Sequence, residues 1–156
     1  MKNITKPLTT RQVSNITQTF SYLEPGFVLP DITYIKGIYS DEFEVARLLS
    51  RTLGGHIAPL GELRISGNPD PDFLWRDKLW ELKKPKCIKR VLRRLHKAVY
   101  QIRENPGGIV LDITHINDDL DFLLSKVSLL LLEQETPVID VIIIKNNTLI
   151  KILSNK

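Results

Sequence analysis

Two carboxylates and a lysine lie close together in the segment 71–83, which reads PDFLWRDKLWELK. Side chains of a strand alternate between its two faces, so Glu81 and Lys83 point the same way. Asp72 begins the preceding apolar run, and it reaches that face if the turn around residues 76–78 has an even number of loop residues. Carboxylate oxygens can hold Mg²⁺ or Mn²⁺, and an ammonium can orient a nucleophile or stabilise charge on a phosphate. The spacing predicts a metal-dependent phosphodiesterase.

A basic stretch follows this motif. Nine cations occur in the 21 residues from Lys83 to Arg103, with no acid among them. Apolar residues recur at helical spacing from Ile88 to about Arg103, which predicts a helix with one buried face. Its cations would neutralise nucleic-acid phosphates, and a solvated helix surface is the alternative interpretation. The candidate phosphate-binding residues are Lys84, Lys86, Lys89, Arg90, Arg93, Arg94 and Lys97.

An acidic helix is predicted upstream, with its N-cap at Ser40 and its end at Gly54-Gly55. Two of its carboxylates compete for a place at the motif. At ~100° per residue, Glu42 falls about 50° from the centre of the apolar stripe and Glu44 about 110° from it, so the geometry favours Glu42. An acid in the first turn also stabilises a helix through its macrodipole, and this is the structural alternative.

These elements together resemble the PD-(D/E)xK nuclease superfamily: Asp72, then Glu81-Leu82-Lys83 after a short turn, with an acidic helix before and a basic helix after. More narrowly, the segments 71–75, 80–85, 109–112 and 140–144 resemble the C-terminal tRNase domains of contact-dependent growth inhibition toxins of the CdiA type and related polymorphic toxins. The resemblance covers roughly residues 40–153.

The resemblance implies a role for each candidate residue. Asp72, Glu81 and Lys83 would be catalytic together with Glu42, and Asp72, Glu81 and Glu42 would hold the metal. The surrounding residues that would support the site are Glu44, Lys97 and Gln101. The metal would be Mg²⁺, with Mn²⁺ or Zn²⁺ as alternatives.

A tRNase toxin further implies tRNA as substrate, a cognate immunity protein over the basic cleft, and a larger delivery protein upstream. It would act in the cytoplasm of a target cell. A DNA endonuclease with the same site and a non-catalytic nucleic-acid-binding domain are the alternatives. Attack by water and attack by the RNA 2′-hydroxyl both stay open.

Composition limits the class of protein. The 156 residues suffice for one domain with a buried core, and 42% apolar with 26% charged residues is typical of globular proteins. The single Cys87 excludes a disulfide framework and a Cys-rich zinc site. The net charge of +4 weakly favours a polyanionic partner. No apolar run is long enough to cross a bilayer, and the start lacks the apolar core of a signal peptide, so a standalone chain would be cytoplasmic.

The predicted fold class is α/β, a mixed sheet with helices packed on it (α+β), in the order α-β-β-β-α-β with an added helix and a C-terminal β-hairpin. Residues 1–37 are interpreted as an N-terminal appendage or linker, and residues 38–156 as the nuclease-like domain. The added helix is predicted to be capped by residues 117–119, and Asn146-Asn147 to form the hairpin turn.

Other polar and aromatic residues are weaker candidates. Asp70 is an alternative motif aspartate in a shifted register, and Glu62 is a loop carboxylate within possible reach. The histidines lack metal-ligand spacing, although His96 could contact RNA from the basic helix. The residues expected to be structural are Trp75, Trp80, Asp112 and Asp140.

Overall fold

The computed structural model describes residues 25–28, 40–60, 71–137 and 139–155. The alternative ligands Glu62 and Asp70 lie outside these residues, as does most of the segment 1–37. The boundary between that segment and the nuclease-like domain therefore stays a prediction.

Seven strands form one mixed sheet in which every strand neighbours the next in sequence. Strands β2, β3 and β4 are antiparallel, β4, β5 and β6 are parallel, and β7 closes an antiparallel hairpin with β6. The strands are β1 (Pro25–Val28), β2 (Gly55–Pro59), β3 (Phe73–Trp75), β4 (Lys78–Lys83), β5 (Pro106–Asp112), β6 (Asp140–Lys145) and β7 (Thr148–Ser154).

Three α-helices in the described ranges lie between pairs of parallel strands: α1 (Ser40–Thr52), α2 (Val91–Gln101) and α3 (Leu120–Leu132). A 3₁₀ turn, Ile88–Arg90, precedes α2. Asp119 caps α3, because its Oδ1 accepts a hydrogen bond from Asp121 N at 2.7 Å. The predicted order of helices and strands and the mixed sheet are confirmed.

The edge strand β1 was not predicted. It pairs in parallel with β2, and a Cβ at Gly26 would overlap the backbone of Gly55. The close approach of the two backbones therefore requires glycine at this position.

Two apolar cores lie on opposite faces of the sheet. Helix α1 packs on one face with Val110 and Ile142, whereas α2 and α3 pack on the other with Ile109 and Leu111. Neighbouring residues of β5 thus belong to different cores, as the alternation of a strand requires. Both faces are covered by helices, which explains why the central strands are almost continuously apolar.

The turn between β3 and β4 decides which face Asp72 occupies. Trp75 pairs with Lys78, so only Arg76 and Asp77 lie in the turn. Both have positive φ, 56° and 60°, as a two-residue type I′ hairpin requires. The number of loop residues is even, and the predicted placement of Asp72 on the same face as Glu81 is confirmed.

The two tryptophans anchor this hairpin. Trp75 and Trp80 are buried with ring centroids 4.9 Å apart, as predicted. Trp75 Nε1 donates to Gly54 O at 2.9 Å, and Trp80 Nε1 donates to Trp75 O at 3.0 Å. Each buried indole N–H therefore has an acceptor, and these hydrogen bonds join the hairpin that carries the motif to Gly54 and to its own turn.

Candidate active site

Strand β4 directs Glu81 and Lys83 to the face that α2 covers. In the parallel register Glu81 lies beside Ile109 and Lys83 beside Leu111, and both of these apolar residues belong to the core under α2 and α3. Leu82, between them, belongs to the opposite core. The basic helix and the motif residues consequently share one face of the sheet.

Glu81 and Lys83 form a buried ion pair. Lys83 Nζ lies 2.7 Å from Glu81 Oε1, and the two residues are only 7% and 3% exposed. The other carboxylate oxygen, Glu81 Oε2, is buried without a hydrogen-bond partner. A buried carboxylate oxygen without a hydrogen-bond partner is rare in folded proteins, because burying an acceptor whose hydrogen bond is not made costs free energy. A proton shared with the neighbouring Asp72, or a bound cation, would satisfy this atom.

Asp72 lies against Glu81 and Glu42. Its Oδ2 accepts a hydrogen bond from Leu82 N at 2.8 Å. Its carboxyl group also interacts with the carboxyl groups of Glu81 and Glu42 and with the charge of Lys83. Sheet and helix thus bring together all four residues that the sequence analysis named as catalytic.

Burial and crowding change the acidity of both central carboxyl groups. Burial raises the pKa of Asp72, and the hydrogen bond from Leu82 N opposes this change. Burial, together with repulsion from Asp72, raises the pKa of Glu81 to about 8, against the opposing effect of Lys83. Two neighbouring buried carboxyl groups repel each other when both are ionised. A proton shared between them, or a bound cation, relieves this repulsion.

The donor set fits a hard divalent cation. Asp72 and Glu81 supply carboxylate oxygens, which are the ligands that Mg²⁺ and Mn²⁺ prefer, and Glu81 Oε2 has no competing partner. Within the ranges that the structure describes, no group of three or more His, Cys, Asp or Glu is arranged to hold a metal. Glu42 contacts Asp72 but does not complete a preformed three-carboxylate cluster, and its role as a direct ligand stays a prediction.

Helix α1 places its two glutamates in different surroundings. Glu42 is half-buried beside Asp72, whereas Glu44 is exposed and pairs with Arg47 at 2.8 Å. The geometric preference for Glu42 agrees with this placement. Glu44 does not reach the motif.

Neither predicted supporting residue on α2 is joined to the motif. Lys97 is exposed, and Gln101 is half-buried with its Oε1 lacking a hydrogen-bond partner. Among the described residues, no hydrogen bond or ion pair links either side chain to Asp72, Glu81 or Lys83. Their supporting roles stay predictions.

Lys84 differs from the other candidate phosphate-binding residues. Its Nζ lies 2.6 Å from Asp41 Oδ2 and 4.0 Å from Asp112 Oδ2. The hydrogen bond with Lys84 lowers the pKa of Asp41. The Lys84–Asp41 contact ties the first turn of α1, which carries Glu42, to the end of β4. The sequence analysis missed this link and interpreted Asp112 only as structural.

The remaining cations form an open surface. Over the described part of the chain, no ion pair or side-chain hydrogen bond engages the exposed residues Lys86, Lys89, Arg90, Arg93, Arg94 and Lys97. We call this set, on the 3₁₀ turn, the segment before it and α2, the basic surface. His96, by contrast, approaches Glu133 at 3.5 Å.

Comparison with known proteins identifies the fold. No family model and no curated protein matches the chain. No helix within the described ranges is both long and apolar enough to cross a membrane. The chain is similar to a chain of the CdiA-CT/CdiI toxin and immunity complex from Burkholderia pseudomallei, at 13% sequence identity and a TM-score of 0.56, over 83% of this chain and 99% of that chain. The resemblance to contact-dependent growth inhibition toxins is thus supported at the level of the fold.

Proposed function

We propose that this chain is a metal-dependent ribonuclease toxin domain that cleaves tRNA. The observation that carries the proposal is the buried Lys83–Glu81 pair, whose Glu81 Oε2 has no hydrogen-bond partner and lies beside Asp72, which Glu42 contacts in turn. A buried carboxylate oxygen without a hydrogen bond is available to a bound cation. The adjoining basic surface supplies the complementary charge for a nucleic-acid backbone.

Asp72 and Glu81 are the residues that would hold the metal, with Glu42 acting on Asp72 through its carboxyl group. A bound divalent cation would supply charge stabilisation at the phosphate and lower the pKa of a bound water.

Lys83 contributes through its position. Its ammonium group is fixed by Glu81 at 2.7 Å and retains further N–H donors, which would hydrogen-bond the attacking oxygen or the charge that develops on the phosphate. Because the group is 7% exposed, that interaction is screened little by water.

The identity of the nucleophile determines the products. If the substrate's 2′-hydroxyl attacks the phosphorus, the bond to the 5′ oxygen breaks and the ends are a 2′,3′-cyclic phosphate and a 5′-hydroxyl. If water attacks, the cyclic product does not form and one end carries a phosphomonoester. Analysis of the terminal groups therefore separates the two mechanisms.

The similarity to a toxin and immunity complex supports a toxin role and a protein inhibitor. An acidic immunity protein would suit the basic surface. The carboxylate–lysine site itself suits the phosphodiesters of RNA and of DNA. RNA is favoured by the resemblance to tRNase toxin domains. Delivery as part of a larger secreted protein belongs to the same proposal.

The decisive experiment incubates the purified protein with total tRNA and with plasmid DNA, in Mg²⁺ or in EDTA. Asp72→Asn and Glu81→Gln serve as inactive variants of unchanged shape, and circular dichroism verifies their folding. Metal-dependent cleavage of tRNA that both variants lose supports the proposal. Cleavage of DNA alone supports a DNA endonuclease, and binding without cleavage under any metal supports the non-catalytic alternative.

A further inference from the structure

Tyr100 stands out on the basic helix because it is a large aromatic residue with 59% of its surface exposed. At ~100° per residue it lies about 20° from Arg93 and about 60° from Lys97, on the side of α2 opposite the buried stripe. An exposed aromatic ring thus lies near the C-terminal end of α2, on the side of the helix that carries Arg93 and Lys97. The sequence analysis did not single out this residue.

Arg103 stacks on the ring. Its guanidinium carbon lies 3.9 Å from the ring centroid of Tyr100, and its Nη1 donates a hydrogen bond to Tyr100 O at 3.1 Å. Glu104 approaches Arg103 Nε at 3.7 Å. The backbone contact holds the guanidinium over one part of the ring, while the exposure of Tyr100 leaves other ring surface free for a ligand.

We propose that Tyr100 and Arg103 form a stacking site for an unpaired nucleobase of the RNA, a proposal that rests on the proposed function. Aromatic rings and guanidinium planes stack on unpaired bases, whereas the bases of a duplex already stack on one another. The proposal assigns the substrate class: the bound stretch is a single-stranded loop or end, not a paired stem.

The position of Tyr100 along α2 agrees with binding of an extended single strand. Tyr100 follows Val91, the first residue of the helix, by about 13 Å at a rise of ~1.5 Å per residue. The helix begins after the end of β4 that carries Lys83. Arg93 and Lys97 lie between the two ends of this path and would contact the phosphates of the same strand.

A matched control exists on α3. Phe122 is 51% exposed, and Lys126 Nζ lies 4.8 Å from its ring centroid. This pair is also an exposed aromatic with a cation over it, but its helix begins beside the acidic Asp119 and Asp121 instead of on the basic surface. If exposure and a cation–π contact were sufficient, Phe122 would bind bases as well as Tyr100.

The test measures binding without cleavage, using Glu81→Gln protein in EDTA as the parent. The probes are a short unstructured oligoribonucleotide and a blunt RNA duplex of equal length, both fluorescently labelled and titrated by anisotropy. Tyr100→Ala, Tyr100→Phe and Phe122→Ala are compared on this background. Both positions, Tyr100 and Phe122, are exposed, so the folding of the three variants is expected to be unchanged.

We expect Tyr100→Ala to weaken binding of the single strand by about 5- to 100-fold, as the loss of one base–aromatic stack does, and to leave duplex binding unchanged. Tyr100→Phe and Phe122→Ala should bind like the parent. Equal single-strand affinity of Tyr100→Ala and the parent overturns the stacking site while leaving the proposed function intact. A parent that binds neither probe rejects both.

Discussion

Asp72, the residue immediately before β3, lies beside Glu81 of β4, with Asp72 Oδ2 accepting a hydrogen bond from Leu82 N at 2.8 Å and Glu81 Oε1 paired with Lys83. The two carboxyl groups raise each other's energy when both are ionised, because they are buried together. Such an arrangement lowers stability in the absence of a ligand, and it explains the direction of several measurable effects.

Stability should fall as the pH rises. The pKa of Glu81 is about 8 in the folded protein, above the ordinary value of 4.5, so the folded state binds more protons than the unfolded state between these values. In EDTA, the contribution of Glu81 to the free energy of unfolding should be fully present below about pH 4.5. It should be lost as the pH rises to about 8. Asp72 contributes in the same direction.

Denaturant melts of the parent and of Glu81→Gln across this pH range measure the effect. The amide cannot ionise, so the Glu81→Gln curve should be much flatter. The stability that Asp41 contributes through its lowered pKa is fully present above its ordinary value of 3.8 and is lost only as the pH falls below that value, outside this window. A parent curve that rises between pH 5 and pH 8 would contradict the assignment.

Divalent cations should stabilise the fold. An ion that binds Asp72 and Glu81 in the folded state, and not in the unfolded state, raises the melting temperature as its concentration increases. At a concentration one hundred times its Kd, it adds about 2.7 kcal/mol to the free energy of unfolding. Differential scanning fluorimetry with Mg²⁺, Mn²⁺ and Zn²⁺ measures the shift. Asp72→Asn should reduce it strongly. Glu44→Gln, at an exposed carboxylate paired with Arg47, provides the control for nonspecific binding.

Glu42 and Glu44 should differ in activity although they lie two residues apart on α1. Glu42→Gln removes a carboxylate that contacts Asp72, and we expect nuclease activity to fall by about 10²-fold or more. Glu44→Gln removes only an exposed ion pair, which is worth about 0–1 kcal/mol, and activity should be retained. Single-turnover cleavage rates give the comparison, and equal rates for the two variants would remove Glu42 from the site.

The salt dependence of RNA binding should separate free cations from paired ones. Arg93→Gln should lower the slope of log Kd against log salt by about one, as the loss of one phosphate contact does. Lys84→Gln should alter the slope little, because Asp41 already engages Lys84 at 2.6 Å. Lys151→Gln, an exposed residue on β7, is the matched control. An unchanged slope in Arg93→Gln would argue against the basic surface.

The parts of the site that local sequence determines were predictable. Alternation along β4 placed Lys83 beside Glu81, helical periodicity placed Glu42 nearer than Glu44, and the parity of the turn placed Asp72. The contacts that were missed depend on residues far apart in sequence. Lys84 and Asp41 are 43 residues apart, and no local pattern relates them.

The edge strand β1 was missed for the same reason. Pro25 and Gly26 are residues that usually interrupt regular structure. Their strand exists because it pairs with β2, where the backbone of Gly55 approaches Gly26 too closely for a side chain. The strand propensities of individual residues do not predict a backbone contact of this kind.

The two-residue turn of Arg76 and Asp77 also restricts how this protein can diverge in evolution. Inserting or deleting one residue there, with β4 held in place, would rotate Asp72 to the opposite face of the sheet, among the residues packed under α1. A change of two residues would preserve its orientation. Active descendants should therefore vary the length of this loop in even steps.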